Sequence, residues 1–495
     1  MRAVSGFLMV AVLTFSLRSA HGQDAKALPR ATPESQGISS QAIGAFIAAL
    51  DQKVTTMHSV VVVRHGKVIA EAWWQPQSPE TRHVLWSLSK SFCSTAVGLA
   101  IAEGKLGLDD EVLKFFPEQA PAQPSRNLRE MRVRDLLCMS TGHETEPKMA
   151  PDGDWVKLFL AHPVPHKPGT HFKYNTPATY MQSAIVQKVT GQTVLDYLKP
   201  RLFEPLGIEK PRWDTSPQGI SLGGYGLFVR TEDIAKFGQL YLQKGQWQGR
   251  QLLTPAWVTQ ATSRQTSNGS NPKSDWDQGY GYQFWRCRHG AYRGDGAFGQ
   301  YCVVLPEEDA VLAITSGTRD MQRVLDIAWE KLLPAFRSVP LPADDAAAGK
   351  LAAKLAALEV PLPAAGTGPA GIAGKVFTFG ENGAKLASVA IEPGADGDAV
   401  VLMADGNEHR IECGRGTWRT GDVAWGGMPA RPAAVAGGWE GETLTLRICF
   451  VETPFVSTVR LTMMDDDVRM VSEANVGFGA VKQPELVGKS RVLNK

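Results

Sequence analysis

The chain has 495 residues, of which 43% are hydrophobic and 21% charged, and its formal net charge is +2. This length exceeds what one hydrophobic core usually organises, so we expect two domains. The balanced charge excludes the basic excess of nucleic-acid-binding proteins, and the hydrophobic content excludes a disordered chain. We therefore expect no nucleic-acid partner.

The first residues have the pattern of an export signal. Arg2 precedes an apolar run from Phe7 to Leu17, and Ala20-His21-Gly22 supplies the small residues that suit a signal-peptidase cut. The run is too short to span a bilayer, and no later run approaches about eighteen unbroken apolar residues. We predict a signal peptide over residues 1–22, a secreted or periplasmic protein and no membrane insertion. A buried N-terminal helix is the alternative.

Residues 23–338 alternate between strand and helix patterns in a way that favours an α+β fold. Strands are predicted at both ends of this region, at His58–Val63, Val68–Trp74, Tyr280–Cys287, Gln300–Leu305 and Ala310–Ser316. Helices are predicted at Thr231–Gln243, from Thr254 onward and at Met321–Phe336. Strands that enclose a helical middle indicate an antiparallel sheet with flanking helices rather than a doubly wound sheet.

The composition changes after about Ser338. Residues 339–371 are rich in Ala, Pro and Gly and are predicted to form a linker with one short helix. Residues 372–495 contain short β-like runs separated by Gly, Asp and Asn turns, which predicts a small all-β barrel or sandwich. This second domain carries no evident cluster of titratable residues, so its role is left open.

Export makes disulfides possible among the six cysteines, but their pairing cannot be deduced from sequence. Cys93 lies on an apolar helix face, where a buried free thiol is the better interpretation. The cysteines are Cys93, Cys138, Cys287, Cys302, Cys413 and Cys449.

Ser87-Leu-Ser-Lys90 is the strongest candidate for chemistry. It opens a segment with apolar residues at helical spacing, which ends near Gly104. A helix that starts near Ser87 places residues three apart on one face, so the Lys90 amine can reach the Ser87 hydroxyl. A serine hydroxyl needs an adjacent base, and a lysine can serve once burial lowers its pKa. The helix N-terminus also offers the Ser87 amide to an oxyanion.

Two other serine motifs are weaker. Ser270-Asn-Pro-Lys273 contains a proline that forbids the helical register, so we interpret it as a surface loop. Gly219-Ile-Ser221-Leu-Gly223 fits the nucleophile elbow of α/β-hydrolases, but it lacks the required strand before it and helix after it. Ser89 would point to another helix face than Ser87 and is expected to be structural.

The histidines give little support for a metal. His162 and His166 have the spacing of a helical zinc pair, but Pro163 and Pro165 between them exclude the helix. No glycine-rich phosphate loop is present either. We expect no metal and no cofactor.

Several segments, in order, resemble the serine β-lactamase-like, penicillin-recognising hydrolase superfamily, which includes class C β-lactamases, D-alanyl-peptide hydrolases and esterases. The similar segments are Ser87–Lys90, Glu103–Asp110, Arg134–Gly142, Pro168–Tyr174 with Val189–Gly191, and Gly296–Gln300 with Pro306. The resemblance covers roughly residues 30–336. It implies the superfamily's antiparallel sheet with an all-helical subdomain.

The resemblance also implies roles for individual residues. Tyr174 corresponds to the tyrosine that shares proton transfer with the lysine, which gives Ser87, Lys90 and Tyr174 as the catalytic set. The oxyanion or substrate would be bound by residues from two further segments, namely Asn175, Thr176, Gly294, Asp295, Gly296 and Ala297.

The sequence departs from the family pattern at two places. Thr176 stands where the Tyr-x-Asn motif has its asparagine, so either a hydroxyl replaces the amide or Asn175 is shifted into its place. The lysine that usually holds a substrate carboxylate is missing before Gly296. Arg293 is either its substitute or a solvated rim residue, and Asp295 either faces the pocket or caps a tight Gly-Asp-Gly turn.

These observations predict an exported serine hydrolase that cleaves an ester or amide through a Ser87 acyl-enzyme. Its partner would be a small ester, amide or peptide substrate, and the sequence carries no signal for an oligomeric state. The alternatives are a β-lactamase or D-alanyl-peptide hydrolase, and a non-catalytic protein that binds cell-wall peptide. Because the lysine that would anchor an anionic carboxylate is missing, neutral or amine-bearing substrates are expected to be preferred.

Overall fold

The computed structural model describes residues 27–492, so the predicted signal peptide lies outside the described residues. Within residues 27–492, no helix is both long enough and apolar enough to cross a membrane.

The first domain is built on a six-stranded antiparallel sheet. Its region contains the strands β1 (Met57–Arg64), β2 (Lys67–Trp73), β3 (His83–Val84), β4 (Arg212–Trp213), β5 (Leu227–Val229), β6 (Gln246–Trp247), β7 (Arg250–Gln251), β8 (Trp285–Arg286), β9 (Tyr292–Gly296), β10 (Gln300–Leu305) and β11 (Ala310–Ser316). The main sheet has the order β2-β1-β11-β10-β9-β8, and β3, β5 and β4 form a small second sheet. The strands β1 and β2 form an antiparallel hairpin and confirm the strands predicted at His58–Val63 and Val68–Trp74.

The predicted strand over 280–287 is shorter in the structure and reduces to β8. The Gly281 amide donates to the Phe284 carbonyl, and Gln283 has a left-handed backbone with φ of 65°. This turn interrupts the ladder, because left-handed residues do not continue an extended strand.

Helices cover both faces of the main sheet. The helices of the described residues are α1 (Ser40–Lys53), α2 (Ser89–Ala102), α3 (Arg126–Glu130), α4 (Val133–Leu137), α5 (Trp155–Ala161), α6 (Thr176–Thr190), α7 (Val194–Leu198), α8 (Glu204–Leu206), α9 (Thr231–Leu242), α10 (Pro255–Thr262), α11 (Met321–Ile327) and α12 (Asp345–Ala356). Shorter 3₁₀ or π turns lie at Glu34–Gln36, Trp86–Leu88, Val112–Phe115, Lys199–Phe203, Pro306–Glu308, Ala328–Leu332 and Leu333–Ala335.

The strand β1 is buried along its whole length because both faces of the sheet are covered. Val61 and Val63 face the core shared with α2 and α9, whereas Val60 and Val62 face the core shared with α1 and α11. The helices α3 to α8 form the helical subdomain. The α+β class and the β-lactamase-like architecture are therefore confirmed.

The segment predicted as a linker contains the expected short helix, α12, but much of it packs on the first domain. Leu351 of α12 and the following Leu358 and Val360 are buried in the core beside α1. Gln75 and Glu359 form a β-bridge there. This part of residues 339–371 therefore extends the core of the first domain, because its spaced apolar side chains pack on the apolar surface beside α1.

The second domain is all-β and consists of one eleven-stranded sheet that nearly forms a barrel. Its strands are β12 (Lys375–Phe379), β13 (Leu386–Glu392), β14 (Ala399–Ala404), β15 (Asn407–Glu412), β16 (Gly414–Arg415), β17 (Arg419–Trp425), β18 (Met428–Glu440), β19 (Thr443–Cys449), β20 (Val456–Met464), β21 (Asp467–Ala474) and β22 (Leu486–Val492). Their order is β15-β14-β13-β12-β22-β21-β20-β19-β18-β16, with β17 paired to β18. The strand β22 thus lies in the interior of the sheet.

All six cysteines lie within the described residues, and each is a buried free thiol. Burial raises the pKa of the Cys138 thiol to about 11 and keeps it protonated. The interpretation of Cys93 as a buried thiol is confirmed.

Candidate active site

Ser87 lies in the single 3₁₀ turn Trp86–Leu88, directly before α2. The helix therefore begins at Ser89, two residues later than Ser87, but the turn continues into it and keeps Ser87 and Lys90 on one side. Trp86 has a left-handed backbone with φ of 46°, a conformation that a bulky residue adopts only when its surroundings enforce it. The Ser89 hydroxyl is buried and accepts a hydrogen bond from the Leu227 amide.

Lys90 is buried and lies next to the Ser87 hydroxyl. Its Nζ donates to Ser87 Oγ at 3.0 Å, to the Gly224 carbonyl at 2.8 Å and to Thr176 Oγ1 at 3.3 Å. None of these three acceptors is a carboxylate. Burial lowers the pKa of Lys90 to about 7, although the more distant charge of Glu146 opposes the shift. Near neutral pH, a large fraction of this amine is therefore unprotonated.

Tyr174 lies just before α6, with its ring beside the Lys90 amine. Lys90 Nζ is 5.0 Å from the ring centroid, and the ring stacks on Trp285 at 5.4 Å. Burial raises the pKa of Tyr174 above its ordinary value; Asp295 adds to this, and a hydrogen bond with Ser87 opposes it. The phenol therefore stays protonated near neutral pH.

The two residues after Tyr174 have different roles. Asn175 caps α6, since its Oδ1 accepts from the Ala178 amide at 3.2 Å, and its Nδ2 contacts His143 Nδ1 at 3.2 Å. It is fully buried, so its amide serves the helix end. The Thr176 hydroxyl instead accepts a hydrogen bond from Lys90 Nζ.

The end of β9 passes very close to Ser87, and its glycines make this approach possible. A Cβ placed on Gly296 would lie 2.0 Å from the Leu85 carbonyl oxygen and 3.1 Å from the Ser87 nitrogen. One on Gly294 would lie 2.4 Å from Leu88 Cδ1. Only glycine fits at such distances. Ala297 follows Gly296, so its backbone lies next along this edge.

Two interpretations of β9 were wrong. Asp295 does not cap a turn, because it lies within the strand and pairs with Tyr301 of β10. Arg293 is not a solvated rim residue, because it is 0% exposed and its Nε donates to Asp295 Oδ2 at 2.9 Å. Its Nη1 also donates to the Asp275 carbonyl at 2.7 Å. Arg293 and Asp295 are two residues apart on one strand, so their side chains lie on the same face. There the two opposite charges neutralise each other.

Sequence reasoning missed two contributors to the site. The Gly224 carbonyl accepts from Lys90, although in the sequence Gly224 only follows the rival Gly-x-Ser-x-Gly motif. The Glu146 side chain accepts from the Thr176 amide at the start of α6, and its charge acts on Lys90. Glu146 lies in a loop without a motif, so only the fold brings it to the site.

The sequence profile of the family described as Beta-lactamase matches residues 45–334, which is more than half of the chain. The chain belongs to the Beta-lactamase family. It is a serine hydrolase of that family, and the matched region contains Ser87, Lys90 and Tyr174.

Among curated proteins, this member of the Beta-lactamase family is 26% identical over 315 residues to 6-aminohexanoate-dimer hydrolase of Paenarthrobacter ureafaciens, with 59% of this chain and 80% of that protein covered. It is 25% identical over 167 residues to D-aminopeptidase of Brucella anthropi, but the match covers 30% of this chain and 31% of that protein. The chain also matches only about a third of the length of protein flp of Staphylococcus aureus.

Solved structures show the same fold. A Bacillus anthracis protein described as a 6-aminohexanoate-dimer hydrolase has a TM-score of 0.52 and 19% identity, and the match covers 62% of this chain and 86% of that one. EstCE1, described as a hydrolase with promiscuous acyltransferase activity, has a TM-score of 0.50 and 17% identity, with 59% and 99% covered.

The rival serines lack the surroundings of a Beta-lactamase-family nucleophile. Ser221 is buried in a loop, bridges to Thr215 and is followed by β5 rather than by a helix. Ser270 lies in a loop where the Lys273 amide donates to Asn271, so no helix aligns Lys273 with Ser270.

The described histidines do not form the pair that the sequence spacing suggested. His162 contacts Thr145 Oγ1 at 2.9 Å, whereas His166 Nε2 contacts Glu144 Oε2 at 2.6 Å and its ring stacks on His171 at 4.1 Å. Glu144, His166 and His171 together could hold a metal ion. Pro163 and Pro165 exclude the helix that would pair His162 with His166. The loop after α5 instead brings the rings of His166 and His171 side by side.

Proposed function

We propose that this hydrolase cleaves an ester or amide bond through an acyl-enzyme on Ser87. The observation that carries the proposal is the buried Lys90 amine, which has a pKa of about 7 and lies 3.0 Å from Ser87 Oγ. A lysine with its ordinary pKa would be almost fully protonated at pH 7 and could not accept a proton. Lys90 is available as a base because it is buried without a carboxylate contact.

In the proposed reaction, each proton transfer accompanies the formation or the cleavage of a bond. Neutral Lys90 takes the Ser87 proton as Ser87 Oγ bonds to the substrate carbonyl carbon. The Lys90 ammonium then passes a proton through the Tyr174 hydroxyl to the leaving group, and the bond to that group breaks. Water next attacks the acyl-enzyme, Lys90 accepts the water proton, and Ser87 leaves with a proton. Because the pKa of Tyr174 is raised, this phenol serves as a proton donor and relay rather than as a phenolate base.

The oxyanion would be bound between the Ser87 amide and the Ala297 amide. Support comes from the glycines of β9, which let the strand pass against the Ser87 nitrogen. The Ser87 amide also lies at a helix start, where backbone N–H groups lack partners within the helix. Two such donors stabilise the charge that develops on the carbonyl oxygen.

The proposed substrates are neutral or carry an amine. Arg293 is buried against Asp295, so the cation that could have held a carboxylate is already neutralised. Glu146, which is exposed near Lys90, would repel a carboxylate and attract an ammonium group. The names of the relatives agree with this, since 6-aminohexanoate-dimer hydrolase and D-aminopeptidase describe amide hydrolases whose substrates bear an amine.

The substrate class is tested with short-chain p-nitrophenyl esters, amides with a free amine, and nitrocefin. We expect hydrolysis of the esters or amides and weak or absent hydrolysis of nitrocefin. Efficient nitrocefin hydrolysis would show that the β-lactamase alternative is right.

The nucleophile is tested by Ser87→Ala, which should abolish hydrolysis of every substrate found. Ser221→Ala and Ser270→Ala are the matched controls, and we expect their kcat/KM to stay within a few-fold of wild type. A folded Ser221→Ala variant without activity would contradict the assignment. Labelling with a fluorophosphonate, located by mass spectrometry, gives an independent check.

We also propose export, on the basis of the apolar run and the small residues before Gln23. N-terminal sequencing of the protein from periplasm or culture medium should then find a start near Gln23. A mature protein that retains residues 1–22 would contradict the proposal.

A further inference from the structure

Two connecting loops of the C-terminal sheet reach the segment that holds Ser87. The first, residues 450–455, joins β19 to β20. Its Glu452 carbonyl accepts from the Val84 amide at 2.9 Å, three residues before Ser87. The Glu452 carboxylate forms ion pairs with Arg82 at 3.1 Å and Arg212 at 3.4 Å. This loop is therefore fixed to β3, the strand that leads into the Ser87 turn.

The second loop, residues 475–485, joins β21 to β22 and is fixed to the first domain at other residues. Asn475 Nδ2 donates to Thr56 Oγ1 at 3.1 Å and to the Gly317 carbonyl at 3.3 Å. Arg319 Nη2 donates to the Gly477 carbonyl at 2.9 Å. These contacts join the loop to the start of β1 and to the end of β11. The loop of the C-terminal sheet therefore has a defined position on the first domain.

Both loops place an aromatic ring against Trp86, the residue before Ser87. The Phe478 ring lies 4.9 Å from Trp86 and 4.7 Å from Phe298, and Phe455 lies 6.1 Å from Trp86. Phe298 itself follows Ala297 in the turn after β9. These four rings, Trp86, Phe298, Phe455 and Phe478, form an aromatic cluster between the two domains.

Phe478 is unusual in this cluster because it is 71% exposed, whereas Phe298 is 7% exposed. A phenyl ring that contacts two others and still leaves most of its surface open offers apolar area to a ligand. The ring also belongs to a loop that several polar contacts hold in place, so a ligand need not order it first.

We propose that Phe478, together with Trp86 and Phe298, forms a subsite for an apolar acyl group of the substrate. This inference rests on the proposed function. The leaving group must face its proton donors, Lys90 and Tyr174, and Tyr174 packs in a different aromatic group with Trp285 and Tyr280. The aromatic cluster is a separate group that begins at Trp86, the neighbour of Ser87, so an acyl substituent that points away from Tyr174 can extend toward it. The C-terminal sheet thus contributes one wall of the substrate pocket.

The test compares p-nitrophenyl acetate with p-nitrophenyl phenylacetate in the full-length enzyme. We expect the wild type to prefer the phenylacetyl ester. Phe478→Ala should lower the ratio of the two kcat/KM values by about tenfold, the usual size of one lost apolar contact in a pocket. Met464→Ala removes another exposed apolar side chain from the same sheet and should leave the ratio unchanged.

A second measurement does not require turnover. Phenylmethylsulfonyl fluoride and methanesulfonyl fluoride modify a reactive serine directly, and the ratio of their rates should fall in Phe478→Ala in the same direction. If Ser87 reacts but neither ratio changes, the subsite is absent while the proposed function stands. If no ester is hydrolysed and neither reagent modifies Ser87, the proposed function fails. If the ratio of benzyl acetate to methyl acetate changes instead, the cluster binds the leaving group and the acyl assignment is wrong.

Discussion

Two buried basic side chains, Lys90 of α2 and Arg293 of β9, behave in opposite ways. Lys90 donates only to hydroxyl and carbonyl oxygens, and burial lowers its pKa to about 7. Arg293 donates to the Asp295 carboxylate. Burial by itself would lower the pKa of Arg293, but the neighbouring Cys287 and Asp295 raise it above its ordinary value.

The difference shows that burial alone does not decide what a charged side chain does. A buried amine without a counterion loses its proton readily and can act as a base. A buried guanidinium with a counterion keeps its charge and organises its surroundings. In the proposed mechanism the first arrangement supplies the base, whereas the second joins two residues of β9 to each other and to the Asp275 carbonyl.

Arg293→Ala should have the largest effect on stability. It leaves the buried Asp295 carboxylate without its cationic partner, which typically costs about 3–5 kcal/mol. Urea unfolding of wild type and variant measures this loss. The double variant Arg293→Met with Asp295→Leu removes both charges and should recover most of it. A double variant as unstable as Arg293→Ala would show that the ion pair is not the cause.

Lys90→Ala should lower kcat/KM by roughly a hundredfold or more, because the reaction loses its base. Its free energy of unfolding should change much less than that of Arg293→Ala, since no charge is left without a partner. The two quantities are measured by steady-state kinetics and by urea unfolding. Lys90→Arg is the control, because it keeps a cation but not a base, and it should be as inactive as Lys90→Ala. An active arginine variant would contradict the role of Lys90.

Tyr174→Phe should lower kcat/KM by about a hundredfold, since it removes only the relaying hydroxyl and keeps the ring that stacks on Trp285. Combined with Lys90→Ala, the loss should be less than additive in free energy, because residues of one relay do not act independently. Additive losses in the double-mutant cycle would indicate that the two residues act in separate steps.

Glu146→Gln should have the smallest effect. Lys90 must be unprotonated to act, so kcat/KM should rise with pH through the Lys90 pKa of about 7. Glu146 raises that pKa, and its removal should therefore shift the rise toward lower pH. At pH 8 the variant should stay within about twofold of wild type for a neutral ester, because Lys90 is mostly unprotonated in both proteins. A shift toward higher pH would contradict this electrostatic account.

The sequence was sufficient for the parts of the site that depend on local geometry. The three-residue spacing of Ser87 and Lys90 at a helix start fixed their contact, and the similar motifs placed Tyr174. The α+β class followed from strand patterns on both sides of a helical middle. These features depend on short-range periodicity, which a single sequence contains.

The remaining features depend on contacts between distant parts of the chain. The sequence left Arg293 open between a substitute for the missing lysine and a solvated rim residue, because nothing local revealed the two tryptophans that cover it, Trp276 and Trp285. Glu146 and Gly224 reach Lys90 only through tertiary packing. Phe478 was one apolar residue in a glycine-rich turn, and its neighbour Trp86 lies in the other domain.

The interior position of β22 also has a consequence for the timing of biosynthesis. The first domain has all strands of its main sheet once β11 has emerged from the ribosome, and domains generally fold in this vectorial order. The second sheet lacks an interior strand until β22, which pairs with both β12 and β21, has been translated. We therefore expect a nascent chain to acquire a reactive Ser87 before Phe478 is held in place. Such an incomplete chain would react with small acylating reagents without yet distinguishing among acyl groups. Selectivity for the acyl group would arise only after β22 has been translated and paired.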